Sequence, residues 1–358
     1  MRPLGFRPPL FPLDPELEWV LQRAFGPLVW SPTAPLSGKK LLENALRLDV
    51  AGRIAARQSR ELLGREMGPE AAQGLREQYV GIVACEALLE RALDLVLEHA
   101  EISSVPCILL KYAALNRIGA LRAGARSASD IDVLVPQARA RAFQAALVRN
   151  GYREVGLVES AHQLPMLQDP NGAFLELHLH LPGVTLGKGL PFACAEDLIA
   201  AGLTRPAGSA LLPDPAIITA HALVHGLVQH ARAPHAYSAL KTFADLADLE
   251  QAGHGAFERA GVFLTMGMTE DDFTSALTLA RALQRGDLET AMSGSGGVLL
   301  RHALASQLNQ GYATGLYLRM LTQPGPTSMH LTADRLFIFL REVWTWAYSR
   351  ATSLGKRE

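Results

Sequence analysis

Apolar residues recur at helical spacing throughout the amino-terminal part of the chain. The clearest stretch is GIVACEALLERALDLVLEHA, in which apolar side chains return every three or four residues and share one face. This spacing extends from residue 38 to about residue 101 and is interrupted where Gly68 and Pro69 stand together. We therefore predict a helical amino-terminal region over residues 1–102.

The pattern changes at Ser103, where short apolar runs of strand length replace the helical spacing. Three such runs are VPCILL, IDVLV and YREVGLV. A fourth segment, AFLELHLHL, alternates strictly between apolar and polar positions. Between them, YAALNRIGALRAG predicts a helix that ends near Gly124, and QARARAFQAALVRNG predicts one that ends at Gly151. This order of elements indicates a small α/β unit over residues 103–182.

Beyond Pro182 we expect no further strands. PDPAIITAHALVHGLVQHA and AYSALKTFADLADLEQA predict two helices, SGSGG predicts a break, and ADRLFIFLREVWTWAYSR predicts a long final helix. Residues 183–358 are therefore expected to form a helical carboxyl-terminal region. The predicted fold class is α+β, a small mixed sheet with helices that is flanked along the chain by helical regions.

The composition is that of an ordinary globular protein. Of 358 residues, 49% are hydrophobic and 19% are charged, and the net charge of −1 argues against nucleic acid or an anionic membrane as a partner. Three cysteines without a CxxC pair favour a reducing compartment over a disulfide framework. Because no signal-peptide or membrane-spanning pattern is evident, we expect a soluble cytoplasmic protein.

Asp130 and Asp132 stand two residues apart at the start of the predicted strand IDVLV. Since side chains alternate along a strand, both carboxylates point to one face, while Ile131 and Val133 point into the core. Magnesium prefers carboxylate oxygens, and such a pair can hold it against a triphosphate. Taken alone the pattern is weak, because two aspartates at a strand start also fit a solvated edge or a turn.

Glu176 offers a third carboxylate. The leucines of AFLELHLHL lie on one face of that strand, whereas Glu176, His178 and His180 lie on the other. Burial of Glu176 beside two aspartates without a cation would be costly, which favours a metal site that includes all three. Two alternatives stay open: an exposed face of a half-buried sheet, and zinc bound by His178 and His180.

The stretch LLKYAALNRIGALRAGARSASDIDVLV, followed by LELHLHL, resembles the nucleotidyltransferase superfamily that includes DNA polymerase beta. It looks most like an uncharacterised bacterial family with Leu-Lys-Gly, then an arginine, then Asp-hydrophobic-Asp. The similarity covers residues 78–250 and is sharpest over residues 109–180. The positions that match the family pattern are Lys111, Arg126, Asp130, Asp132 and Glu176.

The resemblance implies a magnesium-dependent nucleotidyltransferase. Such an enzyme would move a nucleoside monophosphate, expected to be AMP from ATP, to a hydroxyl of a small molecule, a sugar or a peptide. Two magnesium ions are implied, with Asp130, Asp132 and Glu176 as their ligands and as the catalytic groups. Glu176 would complete the second metal site or accept the proton of the acceptor. The residues expected to contact the nucleotide are Lys111, Arg126, Ser129 and His178.

One departure from the family pattern supports a competing hypothesis. The family places glycine after the lysine, where a small residue lets the triphosphate approach backbone amides, and this chain has Tyr112. The alternative is therefore a catalytically silent module with the same fold that binds a nucleotide or a partner protein. A zinc hydrolase is a third hypothesis. His221 and His225 share a helix face, but HALVH lacks the glutamate of HExxH, so packing is their expected role.

Overall fold

A computed structural model describes residues 13–27, 32, 35–155, 162–187, 191–229, 238–255, 257–263 and 270–308. Over these ranges the protein has an α+β fold, with a seven-stranded mixed sheet and helices before and after it along the chain. The predicted fold class is confirmed.

In the described part of the chain, five helices precede the sheet. Asp14 caps the first, because its carboxylate accepts a hydrogen bond of 2.7 Å from the N–H of Leu17, and Pro15 is the first helical residue. Gly68 ends the fourth helix with a φ of 81°, and Pro69 starts the fifth. The helices are α1 (Pro15–Ala24), α2 (Gly38–Arg47), α3 (Ala51–Arg57), α4 (Arg60–Met67) and α5 (Pro69–Ile102). The helical pattern read from residue 38 to about residue 101 is confirmed.

The strands are β1 (Ile108–Leu109), β2 (Asp130–Leu134), β3 (Arg153–Glu154), β4 (Leu167–Gln168), β5 (Phe174–His178), β6 (Thr204–Ala207) and β7 (Ala210–Pro213). They are ordered β3-β4-β5-β2-β1-β7-β6, so β2 is the central strand. It runs parallel to β5 and antiparallel to β1. The predicted strand YREVGLV is reduced to Arg153–Glu154, and the part of it after residue 155 lies outside the described residues.

The expectation of no strand after Pro182 was wrong. β6 and β7 form an antiparallel hairpin whose turn contains Gly208 at a φ of 65°, and β7 pairs in parallel with β1. Pro206 lies on β6 at the edge of the sheet, which is where proline is tolerated in a strand. The hairpin was overlooked because its strands are short and proline-containing. The division of the chain at residues 102 and 182 stays a prediction.

The helix predicted from YAALNRIGALRAG is also shorter than expected. Helix α6 covers only Lys111–Arg117, and the N–H groups of Gly119 and Ala120 donate to carbonyls of its last turn at 2.9 and 3.0 Å. Gly119 has a φ of 74°, so this is the Schellman arrangement that ends helices. The extension to Gly124 was wrong, and a loop leads from α6 into β2 instead.

The remaining helices are α7 (Gln137–Arg149), α8 (Ala195–Ala200), α9 (Pro215–Val224), α10 (Ala239–Gln251), α11 (Phe257–Ala260), α12 (Glu270–Arg285), α13 (Leu288–Met292) and α14 (Gly294–Leu308). Helix α9 continues into a π-helical turn over His225–Gln229. The two helices predicted after Pro182 are thus confirmed, and the SGSGG break is limited to Ser293. The predicted final helix lies outside the described residues. Among those that are described, no helix has the length and apolar character needed to cross a membrane.

The two faces of the sheet pack against different helices. Ile131 and Val133 of β2 belong to an apolar cluster with side chains of α5, α6 and α7. Leu134 of β2 belongs to a second cluster, with side chains of the amino-terminal helices and of α9 and α10. This alternation confirms that Asp130 and Asp132 share the face of Leu134, on the side of α9.

Gly119 and Gly124 offer a matched test of the loop after α6. Both have a left-handed φ, 74° and 72°, so alanine at either position is strained by about 1–2 kcal/mol. A Cβ at Gly124 would also lie 2.4 Å from the ring of Tyr79 on α5, whereas nothing lies within 4 Å of a Cβ at Gly119. We expect Gly124→Ala to lower the free energy of unfolding by about 1–3 kcal/mol more than Gly119→Ala, as measured by urea denaturation. Equal losses would contradict the packing of this loop on α5.

Candidate active site

The carboxylates of two neighbouring strands come together at the centre of the sheet. In the parallel pairing of β2 and β5, Asp132 is the register partner of Glu176, and Asp130 is the partner of Phe174. The side chains of Asp132 and Glu176 therefore leave the sheet side by side on the same face. Asp132 is only 2% exposed, so its charge requires compensation by neighbouring groups.

Lys111 and His178 provide that compensation at one oxygen. The ammonium of Lys111 lies 2.6 Å from Oδ1 of Asp132, and Nε2 of His178 lies 2.8 Å from the same atom. Both groups also approach Oε2 of Glu176, at 3.9 Å and 3.4 Å. Lys111 reaches this position as the first residue of α6, two residues after β1 ends.

The charges in this cluster are strongly coupled. Burial by itself would raise the pKa of Asp132, but Lys111 and His178 hold it far below its usual range. Burial by itself would lower the pKa values of Lys111 and His178, and the facing carboxylates raise both instead. The cluster is therefore a network of compensating ion pairs in a buried setting.

Three of these side chains are close enough together to hold one metal ion. Asp132, Glu176 and His178 each bring one ligand atom to positions that lie within 4.8 Å of one another. Two carboxylate oxygens and an imidazole nitrogen are donors that divalent metals accept. The residues present thus fit a metal ion, as the sequence predicts for Asp132 and Glu176. The prediction had given His178 a contact with the nucleotide.

Asp130 lies on the same face, toward the start of β2. Its carboxylate accepts a hydrogen bond of 3.0 Å from the exposed hydroxyl of Ser129. Burial, followed by repulsion from Asp132, raises the pKa of Asp130 to about 6. A carboxyl of this kind gains from a nearby cation, which agrees with its predicted place at the metal. The metal-ligand role of Asp130 and the nucleotide role of Ser129 stay predictions.

Arg126 is held by a partner that the local sequence pattern does not reveal. Its Nε and Nη2 donate to the two carboxylate oxygens of Asp245 on α10, at 2.7 and 3.2 Å, and both side chains are buried. Beside this pair, Arg53 of α3 donates to Asp248 of α10 at 2.6 Å. Two donors of Arg126 are thus already engaged, and its contact with a nucleotide stays a prediction.

Tyr112 faces away from the carboxylates. Its side chain is 4% exposed and belongs to the apolar cluster of α5, α6 and α7, on the opposite face of the sheet from Asp132. Burial, followed by Glu86 and Glu90 of α5, raises the pKa of Tyr112, which agrees with a position against α5. The bulky residue after Lys111 is thus accommodated in the core.

Several histidines surround the carboxylates, and most of them were not predicted as part of the site. The ring of His162 lies 5.9 Å from that of His178 and 6.3 Å from that of His180, measured between centroids. Burial lowers the pKa values of His162 and of His221 on α9 to about 3, with smaller contributions from other groups that include Lys111 and His178. His221 is thus a buried neutral residue of α9 that packs near the site, as expected for HALVH.

A model of a family described as an uncharacterised nucleotidyltransferase matches residues 37–263. The chain belongs to this family. The matched range includes α2 to α11, the complete sheet and the carboxylates of Asp130, Asp132 and Glu176. The resemblance read from Lys111, Asp130, Asp132 and Glu176 is therefore confirmed at the level of the family. Neither a curated protein nor a solved structure matches the chain.

The ion pair of Arg126 with Asp245 can be compared with an exposed pair elsewhere in the chain. Asp245→Asn leaves a buried arginine without its charged partner, so we expect the free energy of unfolding to fall by about 3–5 kcal/mol. The matched control is Asp94, which is 72% exposed and lies 3.7 Å from Arg117. Asp94→Asn should change the free energy of unfolding by less than about 1 kcal/mol. Urea denaturation measures both values. Losses of similar size would show that the Arg126 pair does not hold the loop before β2.

Proposed function

We propose that this protein transfers a nucleoside monophosphate from a nucleoside triphosphate, with ATP as the expected donor, to a hydroxyl group of a small molecule, a sugar or a peptide. The observation that carries the proposal is the register of β2 and β5. It sets Asp132 beside Glu176, with Asp130 on the same face and Lys111 between the two carboxylates. Family membership supplies the class of reaction.

In the proposed reaction, the acceptor oxygen attacks the α-phosphorus and forms a new phosphorus–oxygen bond. The bond from that phosphorus to the bridging oxygen breaks, and pyrophosphate leaves. Glu176 is the proposed base for the acceptor proton, because it is partly exposed and lies beside Asp132 at the metal-binding face. Lys111 and Arg126 are the residues proposed to offset phosphate charge.

Asp130, Asp132 and Glu176 are the proposed ligands of magnesium. When bound, the metal would neutralise the triphosphate and lower the pKa of the acceptor hydroxyl. For Asp132 and Glu176, support comes from ligand atoms that lie within 4.8 Å of each other and of His178. For Asp130, support comes from its place on the same face of β2 and from its raised pKa. His221 on α9 is close enough to feel the charges of Lys111 and Asp132, so the acceptor is proposed to bind between the sheet and the carboxyl-terminal helices.

The competing hypothesis of a silent binding module rested on Tyr112. Its burial on the opposite face of the sheet from Asp132 means that the tyrosine ring does not contact the carboxylate cluster. A clash of the ring with the carboxylates is therefore not a reason to favour a silent module. The three carboxylates of the family pattern, Asp130, Asp132 and Glu176, are all present, which supports an active enzyme.

The proposal is tested with α-³²P-labelled nucleoside triphosphates, magnesium and a metabolite extract as the source of acceptors. We expect label in a new species together with released pyrophosphate. Glu176→Gln should lower this transfer roughly a hundredfold or more. Glu154→Gln, which changes an exposed glutamate on β3, is the matched control and should retain the transfer.

Thermal unfolding separates the competing outcomes. A magnesium-dependent rise in the Tm of the wild-type protein with a triphosphate, lost in Asp130→Ala/Asp132→Ala, supports a nucleotide site at these carboxylates. A rise in Tm without any transfer would point to a binding module. If the transfer rate of Glu176→Gln is within a fewfold range of the wild-type rate, Glu176 is neither the base nor a metal ligand.

A further inference from the structure

Lys111 occupies the place in the cluster where a metal ion would be held. Its ammonium lies 2.6 Å from Oδ1 of Asp132 and 3.9 Å from Oε2 of Glu176. These are the same two carboxylates that converge as metal ligands. A positive side chain therefore already compensates the oxygens on which a divalent cation would depend.

At the observed distances, the ammonium of Lys111 competes with a metal ion for these two carboxylates. Magnesium binds carboxylate oxygen at about 2.0–2.1 Å, so an ion on Asp132 and Glu176 would stand within a few ångströms of the Lys111 nitrogen. At that separation two cations repel each other strongly in a buried site, because screening by water is weak. Metal binding at these ligands is therefore opposed by Lys111 in its observed position and is favoured when its ammonium moves away.

The side chain of Lys111 can adopt other rotamers. This residue begins α6, its flexible stem carries the charge away from the backbone, and its side chain is 15% exposed. Its backbone has a φ of 44°, a left-handed conformation that is rare for a residue other than glycine. This conformation sets where the stem of Lys111 starts, while the rotamers of the stem decide where the ammonium goes.

We propose that Lys111 is a built-in counter-ion of Asp132 and Glu176, which a divalent cation displaces and which thereby becomes available to the triphosphate. This inference rests on the proposed function. It adds that metal binding displaces the ammonium of Lys111, which then binds the triphosphate. Bare metal binds weakly, because it must displace a charge that has nowhere favourable to go. Metal that arrives with a triphosphate binds well, because the phosphates accept the displaced ammonium.

The direct test is Mn²⁺ binding without nucleotide, followed through the electron paramagnetic resonance signal of free Mn²⁺. Lys111→Met keeps the apolar stem and removes the charge, so we expect it to bind Mn²⁺ roughly tenfold more tightly, or better, than the wild-type protein. Lys241→Met is the matched control, since Lys241 pairs with Asp49 at 2.7 Å and is 16% exposed. Its Mn²⁺ affinity should equal that of the wild-type protein.

A second measurement uses the unaltered chain, so it does not depend on whether a variant folds. Acetic anhydride acetylates accessible amines, and mass spectrometry measures the extent of acetylation at each lysine. We expect the labelling of Lys111 to rise severalfold when Mn²⁺ binds without nucleotide, and to fall again when a triphosphate is added. The labelling of Lys241 should not respond to either addition.

The outcomes distinguish this inference from the proposed function. If the wild-type protein transfers nucleotide but folded Lys111→Met binds Mn²⁺ no better, Lys111 is not a competing counter-ion and the inference alone fails. If the labelling of Lys111 stays constant while Mn²⁺ binds, Lys111 is not displaced, and the inference again fails by itself. If Lys111→Met gains Mn²⁺ affinity and no transfer is found with any triphosphate, the inference stands and the proposed function fails.

Discussion

The buried charge of Asp132 is the constraint on which the site depends. A carboxylate at the centre of a sheet and almost inaccessible to water is unfavourable by several kcal/mol unless cations face it. Two elements meet this need from different directions, since α6 brings Lys111 and β5 brings His178 to the same oxygen. Helix α6 must therefore start almost directly after β1, and β5 must pair with β2 in one register only.

The same requirement explains why β5 cannot shift along β2. A slip by one residue would turn Glu176 and His178 into the apolar cluster and expose Leu177 on the carboxylate face. Asp132 would then lose His178 as a partner, and two polar side chains would enter the core. The alternation of apolar and polar residues along β5 and the charge of Asp132 therefore favour the same register between β5 and β2.

A second buried network supports the loop that leads to Asp130. Arg126 in that loop pairs with Asp245, and Arg53 of α3 pairs with Asp248, so one face of α10 binds both the loop and the amino-terminal helices. Ser127 in the same loop also donates a hydrogen bond of 2.8 Å to Asp49. Helices far along the chain thus help to fix the start of β2, which is consistent with a family match that extends to residue 263.

The sequence predicted those parts of the site that depend on local periodicity. Alternation along AFLELHLHL placed Glu176 and His178 on one face, and the spacing of Asp130 and Asp132 did the same on β2. That these two strands are neighbours was inferred from the cost of burying Glu176 beside the aspartates without a cation, and from the resemblance, but their register was not predicted. The partner of Arg126 is 119 positions away in the chain, and no local pattern encodes such a contact. The hairpin of β6 and β7 was missed because its strands are short and contain proline. The early end of α6 was missed because it depends on the positive φ of Gly119.

Tyr112 shows why a departure from a family motif has to be judged from backbone geometry. Glycine after the lysine would be required if that residue had a positive φ, but among residues 111 and 112 the positive φ belongs to Lys111. Tyr112 is an ordinary helical residue whose ring fills space between α5 and the sheet. Tyr112 therefore belongs to the apolar packing behind α6. The charge cluster where Lys111 meets Asp132 lies on the other face of the sheet.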